Sequence, residues 1–226
     1  MNPTEMATAA WVDKIREENR SALPKAYHGS VHILLNVLLL AGALTAVGVA
    51  LSSPRASDVP LVLGCVVVWS LIEYAAHRWV LHRHRRIHAA LYREHSQQHH
   101  GYFTDEFMHT ESHVDINRVL LRPWDVLLVE IAAAVLAGGV ALVDVRLGLL
   151  FFATANLYCV AYEVLHGLYH CAWSENVPGL RAMTRHHRAH HDPTSMGRWN
   201  FAVVFPILDS IFGTSLPTTR PTEGDV

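Results

Sequence analysis

The sequence predicts an all-α fold, an integral membrane bundle of about four transmembrane helices with a histidine-rich helical cap. Three observations support this prediction. Hydrophobic residues make up 51% of the 226 residues and charged residues only 17%, a balance typical of helices buried in a bilayer. Four long apolar stretches recur along the chain. Finally, 15 of the 17 histidines lie between His77 and His191, close to the ends of those stretches.

The four apolar stretches predict transmembrane helices near residues 31–51, 59–77, 126–143 and 147–165. As an α-helix, the first stretch rises about 31 Å, which is close to the thickness of the hydrocarbon core of a bilayer. The second stretch is apolar over a shorter length, so a buried helix of a soluble protein is the alternative for it. Its neighbours favour a span.

The sequence also predicts three segments by composition. Residues 1–27 carry many charges and no apolar core, so they predict a cytosolic or interfacial segment rather than a cleavable signal peptide. Residues 28–213 are predicted to form the membrane-embedded domain. Residues 214–226 are rich in proline and threonine and predict a disordered tail.

The basic residues predict the orientation of the chain in the membrane. Of the 18 lysines and arginines, only Arg55 and Arg146 lie in the two short connections. The other 16 precede the first span, lie between the second and third, or follow the fourth. Because cytosolic loops carry an excess of basic residues, both termini and the clustered histidines of this multi-pass protein are predicted to be cytosolic.

Net charge and cysteine content exclude several functional classes. A formal net charge of −2 gives no electrostatic reason to expect a nucleic-acid partner. The three cysteines, Cys65, Cys159 and Cys171, lie far apart and form no CxxC pair. A disulfide framework, a zinc ribbon and an iron–sulfur cluster are therefore not indicated.

The histidines near the span ends fall into four groups. The groups are HRWVLH (77–82), HSQQHH (95–100), HGLYH (166–170) and HHRAHH (186–191). In the last group, His187, His190 and His191 have the spacing i, i+3, i+4, so we expect them to share one helix face and to form half of a metal-ligand shell. His166 and His170 are four residues apart and are also expected to share a face.

The first two groups differ in how well their spacing fits a helix. His95 and His99 are four residues apart, so we expect them to share a face, with His100 offset. His77 and His82 are five residues apart, which places them about 140° from each other on an ideal α-helix. The spacing of this pair alone is a weak indication of shared ligation.

Together, the four groups indicate a metal site rather than solvated helix surfaces. They lie on one side of the membrane, and two emerge directly from apolar spans, where ionisable residues are costly. Ten imidazoles suit two ions with about five nitrogens each, whereas a structural zinc site has four closed ligands that usually include cysteine. Such a site beside a bilayer suits activation of dioxygen and attack on a C–H bond. The remaining histidines are expected to be interfacial, solvated or directed away from the site: His28, His32, His84, His88, His109, His113 and His186.

These four motifs in this order, followed by NFAVVFPILDSIFGT, resemble the fatty acid hydroxylase/sterol desaturase superfamily of membrane-bound, histidine-rich dimetal oxygenases. The resemblance spans residues 73–214. Three residues separate the first histidine of HSQQHH from its His-His pair, where two are common in the family. The resemblance implies that the following ten histidines ligate the two metal ions: His77, His82, His95, His99, His100, His166, His170, His187, His190 and His191.

Four polar residues are candidates to orient those ligands by hydrogen bonding to the second ring nitrogen. Glu73 precedes His77 by four residues, and Tyr162 precedes His166 by four. Asn200 and Asp209 lie in the C-terminal motif. The alternative for each is a polar residue at a helix end that faces lipid headgroups.

We therefore expect a membrane-bound di-iron oxidoreductase that uses dioxygen to hydroxylate a lipid acyl chain or a similar hydrophobe. Zinc can replace iron in purified protein because it binds such sites more tightly. The sequence has no iron–sulfur cysteines, dinucleotide fingerprint or cytochrome-like domain, so an external electron donor is implied: a ferredoxin, cytochrome b5 or a reductase. The alternatives are a desaturase or a sterol or carotenoid hydroxylase of the same superfamily, and a non-catalytic metal- or haem-binding membrane protein. A zinc hydrolase is disfavoured because the HExxH motif is absent.

Overall fold

The computed structural model describes residues 5, 8–51 and 53–217. Every regular element among these residues is helical and none is a strand, which confirms the predicted all-α class. Four helices are long and apolar enough to cross a membrane: Gly29–Leu51, Asp58–Leu81, His113–Ala141 and Val145–Tyr169. The division into segments 1–27, 28–213 and 214–226 stays a prediction, and residues 218–226 of the predicted tail lie outside the described residues.

The α-helices of the described residues run in the following order. They are α1 (Ala9–Ala22), α2 (Gly29–Leu51), α3 (Asp58–Ala76), α4 (Ala89–Tyr92), α5 (His100–Tyr102), α6 (Ile116–Val119), α7 (Pro123–Ala141), α8 (Val145–Tyr169), α9 (Pro178–His190) and α10 (Ile207–Ile211). Two π-helices join this series, His77–Leu81 directly after α3 and Arg93–His99 between α4 and α5. Short 3₁₀ turns are Arg86–His88, His113–Asp115 and Ala172–Asn176.

The chain folds as two compact units whose sequences interleave. The bundle unit comprises Leu23–Ile72 and Glu111–Gly167, and the cap unit comprises Met1–Ala22, Glu73–Thr110 and Leu168–Val226. Helices α3 and α8 each begin in the bundle unit and end in the cap unit.

The bundle unit directs apolar side chains outward. Leu38 on α2 is 58% exposed, Val67 on α3 is also 58% exposed, and Val135 on α7 is 70% exposed. Exposed leucine and valine along helices of this length are the pattern expected where a helix faces hydrocarbon, since a helix satisfies its own backbone hydrogen bonds in lipid. These surfaces support a membrane location for the bundle unit.

A polar network lies inside the bundle unit. The amide of Asn36 donates hydrogen bonds to the carbonyl of Leu121 at 2.7 Å and to a carboxylate oxygen of Glu163 at 3.1 Å. The ring of His32 donates to the same carbonyl at 2.8 Å. His32 was expected at the membrane interface, but it is only 3% exposed. The carbonyl of Leu121, which precedes α7, provides an internal partner for the ring, and the interfacial depth of His32 stays a prediction.

The close approach of α7 and α8 depends on a glycine in the first turn of α8. A Cβ atom at Gly148 would lie 2.6 Å from the Cβ of Ala141 and 2.8 Å from the carbonyl oxygen of Ala137. The two helices therefore approach each other closely after a short connection. Only glycine permits that approach without a shift of the backbone.

Candidate metal centre

Five histidines of the cap unit form the first histidine group. Their ring nitrogens all lie within 4.8 Å of one another, and the residues are His77, His82, His95, His100 and His190. They come from the first π-helix and the residue after it, the second π-helix, the start of α5 and the end of α9. Segments far apart in sequence therefore bring five imidazoles to one point.

A second histidine group in the cap unit contains His99, His170, His187 and His191. All four are buried, and their ring nitrogens also lie within 4.8 Å of one another. His166 belongs to the bundle unit, but it lies one helical turn before His170 on the continuous helix α8, so its ring lies on the same face of that helix. The structure thus brings nine of the ten predicted ligands into two groups and leaves the tenth adjacent to one of them along a helix.

The first π-helix explains the pairing of His77 with His82. The backbone N–H of His82 donates to the carbonyl of His77 at 3.1 Å, which closes a turn of five residues rather than four. In such a wide turn, residues five apart return to the same side. Their Nε2 atoms lie 3.2 Å apart. The expectation of a 140° separation was wrong because it assumed an ideal α-helix.

The second π-helix divides the motif HSQQHH between the two groups. The N–H of His100 donates to the carbonyl of His95, and their Nε2 atoms lie 3.2 Å apart in the first group. His99 joins the second group. The expectation that His95 and His99 share a face with His100 offset was therefore wrong.

The last motif, HHRAHH (186–191), is also divided between the two groups. His190 belongs to the first group, whereas His187 and His191 belong to the second, with their Nε2 atoms 3.2 Å apart. The expectation of one half-shell from all three was wrong. Helix α9 ends at His190, and the rings of His187 and His190 enter different groups because i and i+3 differ by about 60° around a helix axis.

Hydrogen bonds to the backbone fix the ring orientation of several of these histidines. The Nδ1 atom of His190 lies 2.9 Å from the carbonyl oxygen of Trp199. A carbonyl oxygen only accepts, so Nδ1 carries the proton and Nε2 presents a lone pair to the group. Three other pairs show the same arrangement: His77 with Phe201, His191 with Phe103 at 2.7 Å, and His170 with Met108 at 2.8 Å.

His82 obtains the same orientation from a side chain. The hydroxyl of Ser96 donates to the carbonyl of Leu81 at 2.7 Å. Its oxygen is then free to accept from Nδ1 of His82, which lies 3.2 Å away. The Nε2 lone pair of His82 therefore also faces the first group.

The convergence of lone pairs fits a metal ion. The Nε2 atom of His95 lies 2.9 Å from that of His77 and 3.1 Å from that of His82. The Nε2 atom of His190 is buried without a hydrogen-bond partner among the described residues. Lone pairs this close repel one another unless a cation lies among them. Nitrogens bound at about 2.1 Å to one ion lie roughly 3.0 to 3.4 Å apart, so these separations suit a shared ion.

Burial keeps these imidazoles neutral. Burial, followed by the neighbouring imidazoles, lowers the pKa well below the ordinary value of histidine for His82, His95 and His100. The pKa values of His170, His190 and His191 are lowered in the same way, first by burial. A neutral imidazole is the form that ligates a metal, so the site is prepared for ligation near pH 7.

Asp209 supports the first group through the backbone. It is fully buried, and its carboxylate accepts from the N–H groups of Phe201 and Ala202, each at 2.8 Å, and from the hydroxyl of Thr214 at 2.7 Å. These bonds hold the segment whose Phe201 carbonyl binds Nδ1 of His77. Asp209 was expected to bind the ring nitrogen of a predicted ligand directly. Instead it binds the backbone segment that supplies the partner of His77.

His186 is the direct ring partner of Asp209. Its Nε2 lies 3.0 Å from the carboxylate, and the residue lies outside both groups, as expected. Burial raises the pKa of Asp209, but the hydrogen bonds from His186, Thr214 and the two backbone N–H groups outweigh it and hold the pKa below the ordinary value. The carboxylate therefore stays charged at neutral pH.

Asn200 shapes the same segment. Its φ of +59° is in the left-handed region, which asparagine tolerates better than most residues. Its side chain donates to the carbonyl of His186 at 3.0 Å and accepts from the N–H of Leu216 at 2.8 Å. Like Asp209, it stabilises the backbone around the site and is not bonded to a group histidine through these contacts.

Glu73 and Tyr162, the other two candidates from the sequence, make different contacts from each other. A carboxylate oxygen of Glu73 accepts from the N–H of Val203 at 3.0 Å, so Glu73 also binds the C-terminal segment, while Nδ1 of His77 is taken by Phe201. The ring of Tyr162 lies 5.4 Å from that of His166, between centroids. Sequence reasoning found both residues from their four-residue spacing but missed the backbone carbonyls, which carry no signal in side-chain identity.

A comparison with models of protein families shows which family this chain belongs to. The model of the fatty acid hydroxylase family matches residues 62–214, which include every histidine of both groups. The chain belongs to the fatty acid hydroxylase family. A solved structure of full-length scs7p, in which only the hydroxylase domain is visible, is similar with a TM-score of 0.63 and 25% sequence identity. That similarity covers 84% of this chain and 68% of the other. A comparison with curated protein sequences gives no significant match.

Membership of the fatty acid hydroxylase family agrees with the geometry. The family and the scs7p hydroxylase domain support a lipid hydroxylase-type function. The buried imidazole groups are able to hold the metal ions of such an enzyme, and the four long apolar helices support a membrane environment.

Proposed function

We propose that this protein is a membrane-bound di-iron oxygenase that hydroxylates a lipid acyl chain or a similar hydrophobe, with dioxygen as co-substrate. The observation that carries this proposal is the division of the histidines into two groups, each suited to one ion. Two iron ions bound there would supply the activation of dioxygen for attack on a C–H bond.

In this proposal the ten histidines named from the sequence are the metal ligands, five for each ion. His166 completes the second group from its position one turn before His170 on α8. The division into two sets of five rests on the convergence of ring nitrogens and on the Nδ1–carbonyl bonds described above. Asp209, Asn200 and Glu73 position the C-terminal segment, and Tyr162 packs beside His166.

The chain's own residues would contribute orientation and exclusion of water. The carbonyls of Phe201, Trp199, Phe103 and Met108 hold the rings in one tautomer, so that the ligands do not have to reorganise when an ion binds. The phenyl ring of Phe201, which is buried, lies 6.0 Å from the ring of His77 and 5.8 Å from that of His190, between centroids. This apolar contact would limit the access of water to the first ion.

We further propose that the metal centre and both termini face the cytosol, where an external electron donor delivers two electrons. The bias of basic residues towards one side of the predicted spans supports this orientation. A ferredoxin, cytochrome b5 or a reductase are the candidate donors. None of the motifs that would hold an electron-transfer cofactor occurs in the sequence.

Lipid profiling tests the proposed activity. Cells that supply a donor would express the unchanged chain or a variant with both His187→Ala and His190→Ala, and their lipids would be compared by mass spectrometry. We expect a lipid that has gained one oxygen atom only with the unchanged chain. A lipid that has lost two hydrogens would indicate a desaturase instead. No change in fatty acids, sterols or carotenoids would favour a non-catalytic binding protein.

A further inference from the structure

A buried arginine in α1 contacts the cap loop that follows α5. Arg16 is only 4% exposed. Its guanidinium donates to three carbonyl oxygens of one loop: Tyr102 at 3.3 Å, Phe107 at 2.9 Å and His109 at 3.2 Å. A buried guanidinium is costly unless its donors are satisfied, and the planar fork of arginine is able to reach several acceptors at once. This side chain therefore holds the loop from both ends.

Aromatic contacts strengthen the same connection. The guanidinium carbon of Arg16 lies 5.4 Å from the ring centroid of Tyr102 and 5.8 Å from that of Phe103, within the range of cation–π attraction. Arg20, one turn further along α1, donates to the hydroxyl of Tyr102 at 3.1 Å. The N-terminal helix is thus fastened to loop 102–109 by two arginines.

The loop that Arg16 holds is the one that orients two histidines of the second group. Between the carbonyls bound by Arg16 lie those of Phe103 and Met108. The first accepts from Nδ1 of His191 at 2.7 Å and the second from Nδ1 of His170 at 2.8 Å. A backbone hydrogen bond also joins the residue after this loop to one of these histidines: the N–H of Thr110 donates to the carbonyl of His170 at 3.0 Å.

The first histidine group depends on a different segment. The carbonyls that orient His77 and His190 come from Phe201 and Trp199, and the segment carrying them is held by Asp209. The two groups therefore have separate supports, one from the N-terminal helix and one from the C-terminal motif.

We propose that Arg16 is a positioning residue for the second metal ion: it fixes loop 102–109, whose carbonyls fix the rings of His170 and His191. This inference rests on the proposed metal-binding function. It extends the metal-binding machinery to α1, which lies outside residues 62–214 matched by the family model. Removal of the guanidinium should weaken the second ion selectively and leave the first in place.

The test measures metal content of the full chain in lipid nanodiscs after anaerobic equilibration with limiting Fe(II). The unchanged protein is expected to bind about two ions. In Arg16→Gln the affinity for one ion should fall about 10- to 100-fold, the usual effect of removing support around a metal ligand, so about one ion remains. Arg16→Lys should resemble it, because an ammonium group cannot serve three carbonyls of this loop.

Combined variants identify which ion is lost. Arg16→Gln with His187→Ala should still hold about one ion, since both changes act on the second group. Arg16→Gln with His190→Ala should hold about none, since both groups are then impaired. Lys14→Gln is the matched control on the same helix, because its side chain is 66% exposed, and it should bind like the unchanged protein.

Three results would overturn the inference. The first is that Arg16→Gln binds both ions with unchanged affinity, and the second is that its remaining ion is the one lost with His187→Ala rather than with His190→Ala. Loss of both ions in Arg16→Gln would also refute a selective role. If the unchanged protein itself binds no metal, the proposed function fails, and that result is visible in the control before any variant is considered.

Discussion

The hydrogen-bond partner of Nδ1 determines which histidine group a ring joins. The carbonyl of Trp199 directs His190 into the first group, and the carbonyl of Phe103 directs His191 into the second, although the two residues are adjacent. Backbone carbonyls give a firm orientation because they cannot exchange roles as donors, whereas a hydroxyl can. The group that each of these two rings enters is therefore set by the backbone around it.

Single substitutions in the last motif should remove one ion each. His190→Ala should lower the metal content from about two ions to about one by impairing the first group, and His187→Ala should do the same through the second group, since a missing ligand weakens its own ion most. Metal analysis of each variant after purification under identical conditions gives the answer. Product formation should be lost in both. Equal loss of both ions in either variant would contradict the assignment of these histidines to separate groups.

Asp209→Asn should destabilise the folded protein at neutral pH. The buried carboxylate accepts four hydrogen bonds, and weakening such a charged network costs roughly 2–4 kcal/mol. The pKa of Asp209 is lowered in the folded state. Its stabilisation is therefore present above the ordinary pKa of aspartate, about 4, and is lost as pH falls through the folded value.

Thermal unfolding of the unchanged protein and of Asp209→Asn at several pH values checks this pH dependence. The difference in unfolding temperature should be largest near neutrality and should shrink in acid below about pH 4. His187→Ala provides a comparison, since it alters the site without removing this carboxylate. A difference that is independent of pH would show that the charge of Asp209 does not contribute.

The two π-helices are the elements that build the site. Each widens a helical turn to five residues and so aligns His77 with His82 and His95 with His100. π-helical turns are uncommon and occur frequently at functional sites, because they cost regular hydrogen-bond geometry. Here each π-helix brings two histidines five residues apart into the first histidine group.

Changing the length of the second π-helix should change metal binding in a defined direction. An alanine inserted between Gln97 and Gln98 would separate His95 and His100 by six residues, which neither an α-turn nor a π-turn aligns. Deletion of Gln97 would give a four-residue spacing, which an α-turn aligns. We expect the insertion to reduce metal content more than the deletion, as measured with limiting Fe(II). Greater loss in the deletion variant would contradict this role of the π-turn.

The sequence predicted the helical elements well and their local geometry poorly. Long apolar stretches report burial directly, so the four membrane-type helices could be read from hydropathy. The histidine motifs were found because imidazole is a chemical signal in the side chain itself. The assignment of His99 and His100 to different groups was not foreseen, because nothing in side-chain composition indicates a π-turn. Arg16 was read only as a basic residue, since its carbonyl partners are over 80 residues away.

At the scale of the whole molecule, a helical bundle of membrane type continues through two of its helices into a cap that contains the histidine groups. The covalent continuity of α3 and α8 carries His77 and His170 from apolar helices into the cap.

The proposed orientation is tested by cysteine labelling. Arg55→Cys, in the connection between the first two spans, should react with a membrane-impermeant maleimide in intact cells. Arg85→Cys, in the cap unit, should react only after permeabilisation. Both positions are exposed, and the unchanged chain, which contains Cys65, Cys159 and Cys171, gives the background. The reverse pattern would place the histidine groups on the other side of the membrane.

The central claim, that paired imidazole groups support metal-dependent oxygenation of a lipid, is tested most directly with the purified chain in lipid nanodiscs. The chain would be loaded with Fe(II), supplied with a reduced ferredoxin or cytochrome b5, and exposed to oxygen-18 gas. Mass spectrometry should find one oxygen-18 atom incorporated into an acyl chain or another hydrophobe, and none with His187→Ala or His190→Ala. Absence of label from every lipid class with both ions bound and the donor reduced, or label that persists in both variants, would contradict the account.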